Sequence, residues 1–436
     1  MEAVELLTCA FCPLKCKYCY IPKSKKMKEL HKEIKVKLKQ QTYLENLEKI
    51  YGKNLKYLGL WGTEPSLTFN EILQIFPELI KKFPELKELS FSTSFLLPPK
   101  VYLNFFDGLE RLNYPLKVKI QISCDGPSFI TDKNRMRNAA KFIREHTLKL
   151  IPEVRKRNYR NLDLEFKWKA TFSVENLKLL VENPSLVDSY WEYFKSQEEE
   201  IRPYLNSKVK FIFGSCSPTL VVPGKYTSED GKIFAEFLKV WHSKGKLTSY
   251  SYRLRRLFKY WPEITRNPHA FTCSGGDSNF GVGDNLFLCH RTFYFDKDEY
   301  LESIFETDIE NWDVSAFERG AINLIRDKFI VDPNDKKEII RMKYVLRNYH
   351  DFWRFKLGYT NAMLIELARA NQVDRIYLRA ENLRNLFALF LNSSLSCPAE
   401  NLINTGSFHL QLVSLMRMFG NGAFQELVRY ELSRRE

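Results

Sequence analysis

Four cysteines fall within eleven positions of CAFCPLKCKYC, residues 9–19, and their spacing is the strongest chemical signal in the chain. Cys12, Cys16 and Cys19 are separated by three and then two residues, with Tyr18 immediately before the last. Close-set thiols serve three chemistries: a tetrahedral zinc site, a redox dithiol or an iron–sulfur cluster. Zinc takes four ligands, usually as two short pairs. Cys9 can complete such a set with Cys12, Cys16 and Cys19, and no pair with two-residue spacing occurs outside residues 9–19. A redox dithiol needs only Cys16 and Cys19 and leaves Cys12 without a task. Three thiols on one loop suit a cubane that keeps one iron open, because such clusters normally take four thiolates and an open corner can bind a substrate or cofactor. Cys9 closes an apolar run and is expected to be a buried thiol rather than a ligand, since Cys is among the most buried residue types.

The elements that must carry this loop alternate strand and helix through the first half of the chain. Apolar or period-two runs at 5–11, 55–62, 86–94, 116–126, 164–173 and 209–215 predict six strands. Helical spacing between them, as at 43–51 and 71–83, predicts the connections of a parallel sheet curving toward a barrel. Chemistry in such folds gathers at the carboxyl ends of the strands. The cysteine loop, Gly62–Pro65, Ser92–Ser94 and Ser123–Gly126 are all expected there, in one cleft. Cys124 alternates away from Ser123 and is expected in the core. Character changes near residue 250: CSGGDSNFGVGDNLFLCHR (273–291) is Gly-rich with two more cysteines, and amphipathic helical patterns follow beyond 340. Two domains are therefore expected, 1–250 and 251–436.

The formal net charge is +14, which raises the question of a nucleic-acid partner. The basic residues are scattered, however, and their densest stretch, KSKKMKELHKEIKVKLK (23–39), carries both signs and reads as a solvated helix face. Nine cysteines clustered this way are not a disulfide framework, which implies a reducing compartment. No apolar run of eighteen residues and no signal-peptide pattern is visible, so a cytoplasmic chain with no membrane partner is expected.

CPLKCKYC (12–19) resembles the signature of the radical S-adenosylmethionine (SAM) enzymes, Cys-x3-Cys-x2-Cys with an aromatic residue before the last cysteine. GTEP (62–65) is similar to the family's Gly-Gly-Glu-Pro turn, with Thr63 in place of the second glycine. STS (92–94) stands where a Thr-Asn-Gly strand end lies, and ISCDGP (122–127) with DKNR (132–135) resembles a block of the peptide- and protein-modifying branch. KAT (169–171) and ENL (175–177) resemble the fifth strand of that branch, and the likeness runs from residue 5 to about 305. The resemblance implies a partial (β/α)6 TIM-like barrel with a C-terminal SPASM-like and helical extension. It also implies that Cys12, Cys16 and Cys19 ligate a [4Fe–4S] cluster whose open iron is chelated by the SAM amino and carboxylate groups. Electron transfer then cleaves SAM to a 5′-deoxyadenosyl radical, which abstracts hydrogen from the substrate. Gly62, Thr63, Glu64, Ser94, Ser123, Asp125 and Arg135 are the implied SAM contacts. Arg135 is expected to neutralise the carboxylate, with Arg144 as its rival.

The stretch 273–304 resembles the opening of a SPASM domain, which carries auxiliary iron–sulfur clusters. Cysteines for two such clusters are lacking. One remains open to Cys273, Cys289 and Cys397, with Cys216 or His269 as a fourth ligand; the alternative is a reduced domain whose thiols only pack. His290 follows Cys289 at the position where sulfatase-maturing relatives hold a proton-accepting Asp, so it is the implied general base. A peptide or protein substrate and a reductant such as flavodoxin or ferredoxin follow from the same likeness. The motif begins so early that substrate selection is expected to fall to the second domain. Two readings compete: a radical SAM enzyme acting on RNA or a nucleotide, and a non-enzymatic binding protein stabilised by zinc at the first cysteines.

Overall fold

The alternating pattern becomes a wound α/β sheet in a computed structural model, which describes residues 3–19, 25–213, 219–220, 228–245, 279–282, 285–287, 329–330 and 334–340. In chain order the elements begin β1 (Ala3–Cys9), α1 (Lys25–Lys37), α2 (Gln41–Tyr51), β2 (Tyr57–Gly62), α3 (Phe69–Lys82), β3 (Glu88–Thr93) and α4 (Pro99–Glu110). They continue with β4 (Leu116–Ser123), α5 (Ser128–Asn134), α6 (Ala139–Arg157), β5 (Leu162–Lys169), β6 (Thr171–Phe172), α7 (Val174–Glu182) and α8 (Ser185–Ile201). The series ends with β7 (Val209–Ile212), β8 (Thr219–Leu220), α9 (Ser228–Ser243), β9 (Asn279–Val282), β10 (Asn285–Phe287) and β11 (Phe329–Ile330).

Strands β1, β2, β3, β4, β5 and β7 lie side by side in that order and run parallel, giving the six strands read from the sequence. The sheet is open: among the described residues β7 and β11 are its two ends, an arrangement compatible with the expected partial barrel. One difference concerns the far edge. β9 pairs parallel with β1, and β10 and β11 follow antiparallel, so residues from the expected second domain continue the first domain's sheet. The remainder of 251–436, with Cys273, Cys289, His290, Cys397 and His269, lies outside the described residues, as does Cys216. No helix among the described residues is long and apolar enough to cross a membrane.

Alternation decides which face packs. Leu116, Val118, Ile120 and Ile122 of β4 are buried, as are Leu162, Leu164, Phe166 and Trp168 of β5. Each such side chain contributes about 1.5–3 kcal/mol when fully buried. Aromatic rings from the helices complete this outer layer: Phe69 of α3 stacks on Phe105 of α4 at 3.9 Å and meets Phe91 of β3 edge-on at 5.0 Å. The intervening residues of β3, β4 and β5 are polar or charged and face the concave side. That side is a wet trough rather than the apolar layers that fill a closed barrel.

Candidate active site

A cavity of about 680 Å³ opens at the carboxyl ends of β1 to β5 and runs down the trough. Cys12, Cys16 and Cys19 line it together with Gly62, Thr63, Ser94, Ser123 and Arg135. The strand ends expected to meet do meet, and each is held by a specific contact.

The β1–β2 end is built on a close backbone approach. Thr63 donates its backbone N–H to the Cys9 carbonyl at 2.9 Å. Gly62 has φ +143°, and a Cβ there would stand 2.0 Å from the Cys9 carbonyl oxygen. Only glycine fits, because that conformation strains any other residue and the overlap is with main chain. Gly62→Ala is accordingly expected to destabilise the fold by at least about 2 kcal/mol. Chemical unfolding checks this, and a loss below about 0.5 kcal/mol would show that the approach is not needed.

Glu64, an expected cofactor contact, is held by a set of internal hydrogen bonds. It is 2% exposed, and its carboxylate accepts hydrogen bonds from Ser66 Oγ, from Thr93 Oγ1 at 2.6 Å and from the Ser94 N–H at 2.8 Å. The carboxylate thus ties the turn after β2 to the end of β3 and positions Thr63 and Ser94 at the rim. Tyr102, hydrogen-bonded to Thr93 at 2.8 Å, holds its proton well above the usual phenol range, through burial first and the Glu64 charge second.

Asp125, another expected cofactor contact, is likewise bonded within the protein. It is 0% exposed, and both oxygens are used inside the protein. Arg135 binds it through two nitrogens at 3.0 Å each, the Thr171 N–H donates at 3.0 Å, and Tyr18 donates its hydroxyl at 2.6 Å. The Lys17 N–H adds a bond to the Asn134 carbonyl at 2.9 Å. One carboxylate therefore joins the cysteine loop, the end of β4, the end of α5 and β6. Asn134 extends the set to Asn176 at 3.0 Å, inside the ENL stretch. Tyr18 is raised well above the phenol range by burial, with Arg135 pulling it down and Asp125 pushing it up. Arg135 lines the cavity while so held, and its guanidinium lies 5.5 Å from the Tyr18 ring centre. Arg144, the rival, is instead bound to Ser196 at 2.8 Å and to Glu200.

The thiols fall into two classes. Cys9 and Cys124 are buried, as expected, and burial pushes both upward, Cys124 to about 11. Cys12 and Cys16 are partly exposed and Cys19 is exposed, with the Cys19 N–H closing a turn onto the Cys16 carbonyl at 3.1 Å. Arg135 is held well above the usual guanidinium range: burial pulls it down, and the charge of Asp125, followed by those of Tyr18 and Cys16, pushes it up. At pH 8, N-ethylmaleimide is expected to modify Cys12, Cys16 and Cys19 in the native protein, and Cys9 and Cys124 only after unfolding. Only about one Cys124 thiol in a thousand is ionised at that pH. Peptide mapping decides it; native labelling of Cys124 as fast as Cys19 would contradict the burial.

Three soft donors on a cavity-facing loop suit an iron–sulfur cluster by donor type. Among the described residues, no three His, Cys, Asp or Glu side chains already converge as a metal-ligand set. The anchors at Lys17 and Tyr18 leave the cysteines on either side of a fixed point. Sequence reasoning missed two things here: the anchoring role of Tyr18, and the charged rows of the trough. The second had a visible signal in the alternating Lys117, Lys119, Gln121 and Glu165, Lys167, Lys169. No protein-family model matches the chain, and a search of curated proteins found none similar to it.

Proposed function

We propose that this protein is a radical SAM enzyme acting on a peptide or protein side chain, with Cys12, Cys16 and Cys19 holding a [4Fe–4S] cluster. The observation that carries this reading is the shared cavity: the three thiols line it with Gly62, Thr63, Ser94, Ser123 and Arg135. When bound, cluster and SAM together supply reductive cleavage of SAM and hydrogen abstraction from the substrate, with a flavodoxin or ferredoxin as electron source. The chain's own groups bind and orient. Arg135, fixed on Asp125 by two of its nitrogens, keeps its remaining edge for the SAM carboxylate. The Ser123 and Ser94 hydroxyls offer hydrogen bonds at adjoining strand ends. Glu64 and Asp125 act as positioning residues. One auxiliary cluster on Cys273, Cys289 and Cys397, with His290 as general base, extends the proposal to residues outside the described ones.

Purification and cluster reconstitution without oxygen test the reading. A brown protein with about four irons, or about eight with the auxiliary cluster, is expected to form 5′-deoxyadenosine from SAM under a strong reductant. A colourless, zinc-containing chain that leaves SAM intact would sink it.

A further inference from the structure

Strand register sorts the trough into rows. Glu5, Gly59, Ser90, Lys119 and Glu165 stand side by side; Ser92, Gln121 and Lys167 form the next row toward the carboxyl ends, and Ser123 and Lys169 the row above. Charges in the lower rows are balanced: Lys119 pairs with Glu88 at 2.6 Å and Lys117 with Glu165 at 2.7 Å. Lys167 differs. It lines the cavity and is partly buried, and among the described residues no carboxylate forms a close ion pair with it. Glu165, two residues along on the same face, is bound to Lys117 and reaches Lys167 only through its charge, which it shares with Lys117 and Lys119. A half-buried ammonium compensated only at a distance is costly, and a bound anion offsets that cost. Beside it, Gly59, Ser90 and Ser92 keep the neighbouring strands low and leave room, and Gln121 is held back by its bond to Ser92 Oγ at 2.9 Å.

We propose that Lys167 receives a substrate carboxylate, an Asp or Glu side chain flanking the residue that reacts. The assignment rests on reading this cleft as a peptide-modifying site. A single carboxylate suits the trough better than a polyanion. Of the other cations that line the cavity, Lys119 is paired with Glu88 and Arg135 with Asp125, and Lys169 stands exposed in the row above, whereas a phosphodiester chain needs a row of unpaired cations. Lys167 is thus a specificity residue at the substrate end of the cavity, opposite in role to Arg135.

Carbodiimide coupling of the full-length protein with N-acetyl-Ala-Glu-Ser-Arg-Ala-amide tests this, because the peptide carries one carboxylate and no amine. Peptide mapping is expected to find the adduct on Lys167 at least threefold above the exposed Lys100 and Lys149. A smaller excess overturns the assignment. Penta-adenylate at the peptide's concentration is expected to leave Lys167 coupling within twofold; stronger suppression overturns it in favour of nucleic acid. Neither readout needs the cluster or SAM cleavage. A failed coupling therefore leaves the radical SAM reading standing, and a failed cleavage leaves the coupling result standing.

Discussion

Replacing Cys12, Cys16 or Cys19 with alanine is expected to bring both iron content and 5′-deoxyadenosine formation down to background, each substitution alone sufficing. The reason is stoichiometric. A cubane normally takes four thiolates, and a site holding three has none to spare if its open iron is to meet SAM. Two thiolates leave two irons without protein ligands, and the cluster is lost rather than weakened. Cys9→Ala and Cys124→Ala are the contrast. Both sulfurs are buried away from the cavity lining, so those variants are expected to retain about four irons and SAM cleavage, with a stability cost of about 1 kcal/mol. Iron quantitation and product chromatography on the five variants decide the matter. Loss of iron in Cys9→Ala equal to that in Cys12→Ala would mean a four-cysteine iron site with no iron left open for SAM. The extra loss of cleavage in a Cys19 variant that keeps its iron would point to a redox dithiol instead.

Asp125→Ala is expected to cost about 3–5 kcal/mol of folding stability, because it leaves the buried Arg135 guanidinium unpaired. The Arg135 side chain is 7% exposed, so water cannot take the place of the lost carboxylate. The double variant Asp125→Leu with Arg135→Met removes the stranded charge as well and is expected to recover part of the loss. Lys178→Ala, which breaks an exposed pair with Glu182 on α7, is expected to stay within about 0.5 kcal/mol of the parent. Urea unfolding of the four proteins measures all of this. If Asp125→Ala behaves like Lys178→Ala, the carboxylate is not the junction described above. Since the Tyr18 hydroxyl also loses its acceptor, Asp125→Ala is further expected to speed maleimide labelling of Cys16 and Cys19.

The strands were legible because parallel sheets leave strong local marks. The Leu116–Ser123 stretch alternates strictly, and β4 occupies that span. The last strand was read as 209–215 and ends at Ile212, since apolar residues alone do not say where pairing stops. What local pattern could not show was what a polar residue faces. The motifs of Glu64 and Asp125 do not announce their internal partners, Thr93 and Arg135, which are supplied by the neighbouring parts of the fold. Tyr18 and Asp125 are 107 positions apart, and nothing in either neighbourhood announces the bond. β9 was missed for a different reason: four residues in a Gly-rich stretch carry too little period-two signal to be read as a strand. The alternation of charge along β4 and β5, by contrast, was present to be read. A strand buried on both faces is an unbroken apolar run, so lysines at every second position mark one wet face.

The Asp125 junction has a consequence for the order of events at the ribosome. The cysteine loop is among the first parts of the chain to be made, while its fixings lie at Asp125, Asn134 and Thr171. At ordinary elongation rates, the roughly 150 residues between the loop and the last of these take on the order of 8 to 30 s to synthesise. The loop's own anchors, Asp125 and Asn134, are made before Thr171, which completes the bonds to Asp125. The geometry of the cysteine loop is thereby set only after β4, α5 and β6 have been made.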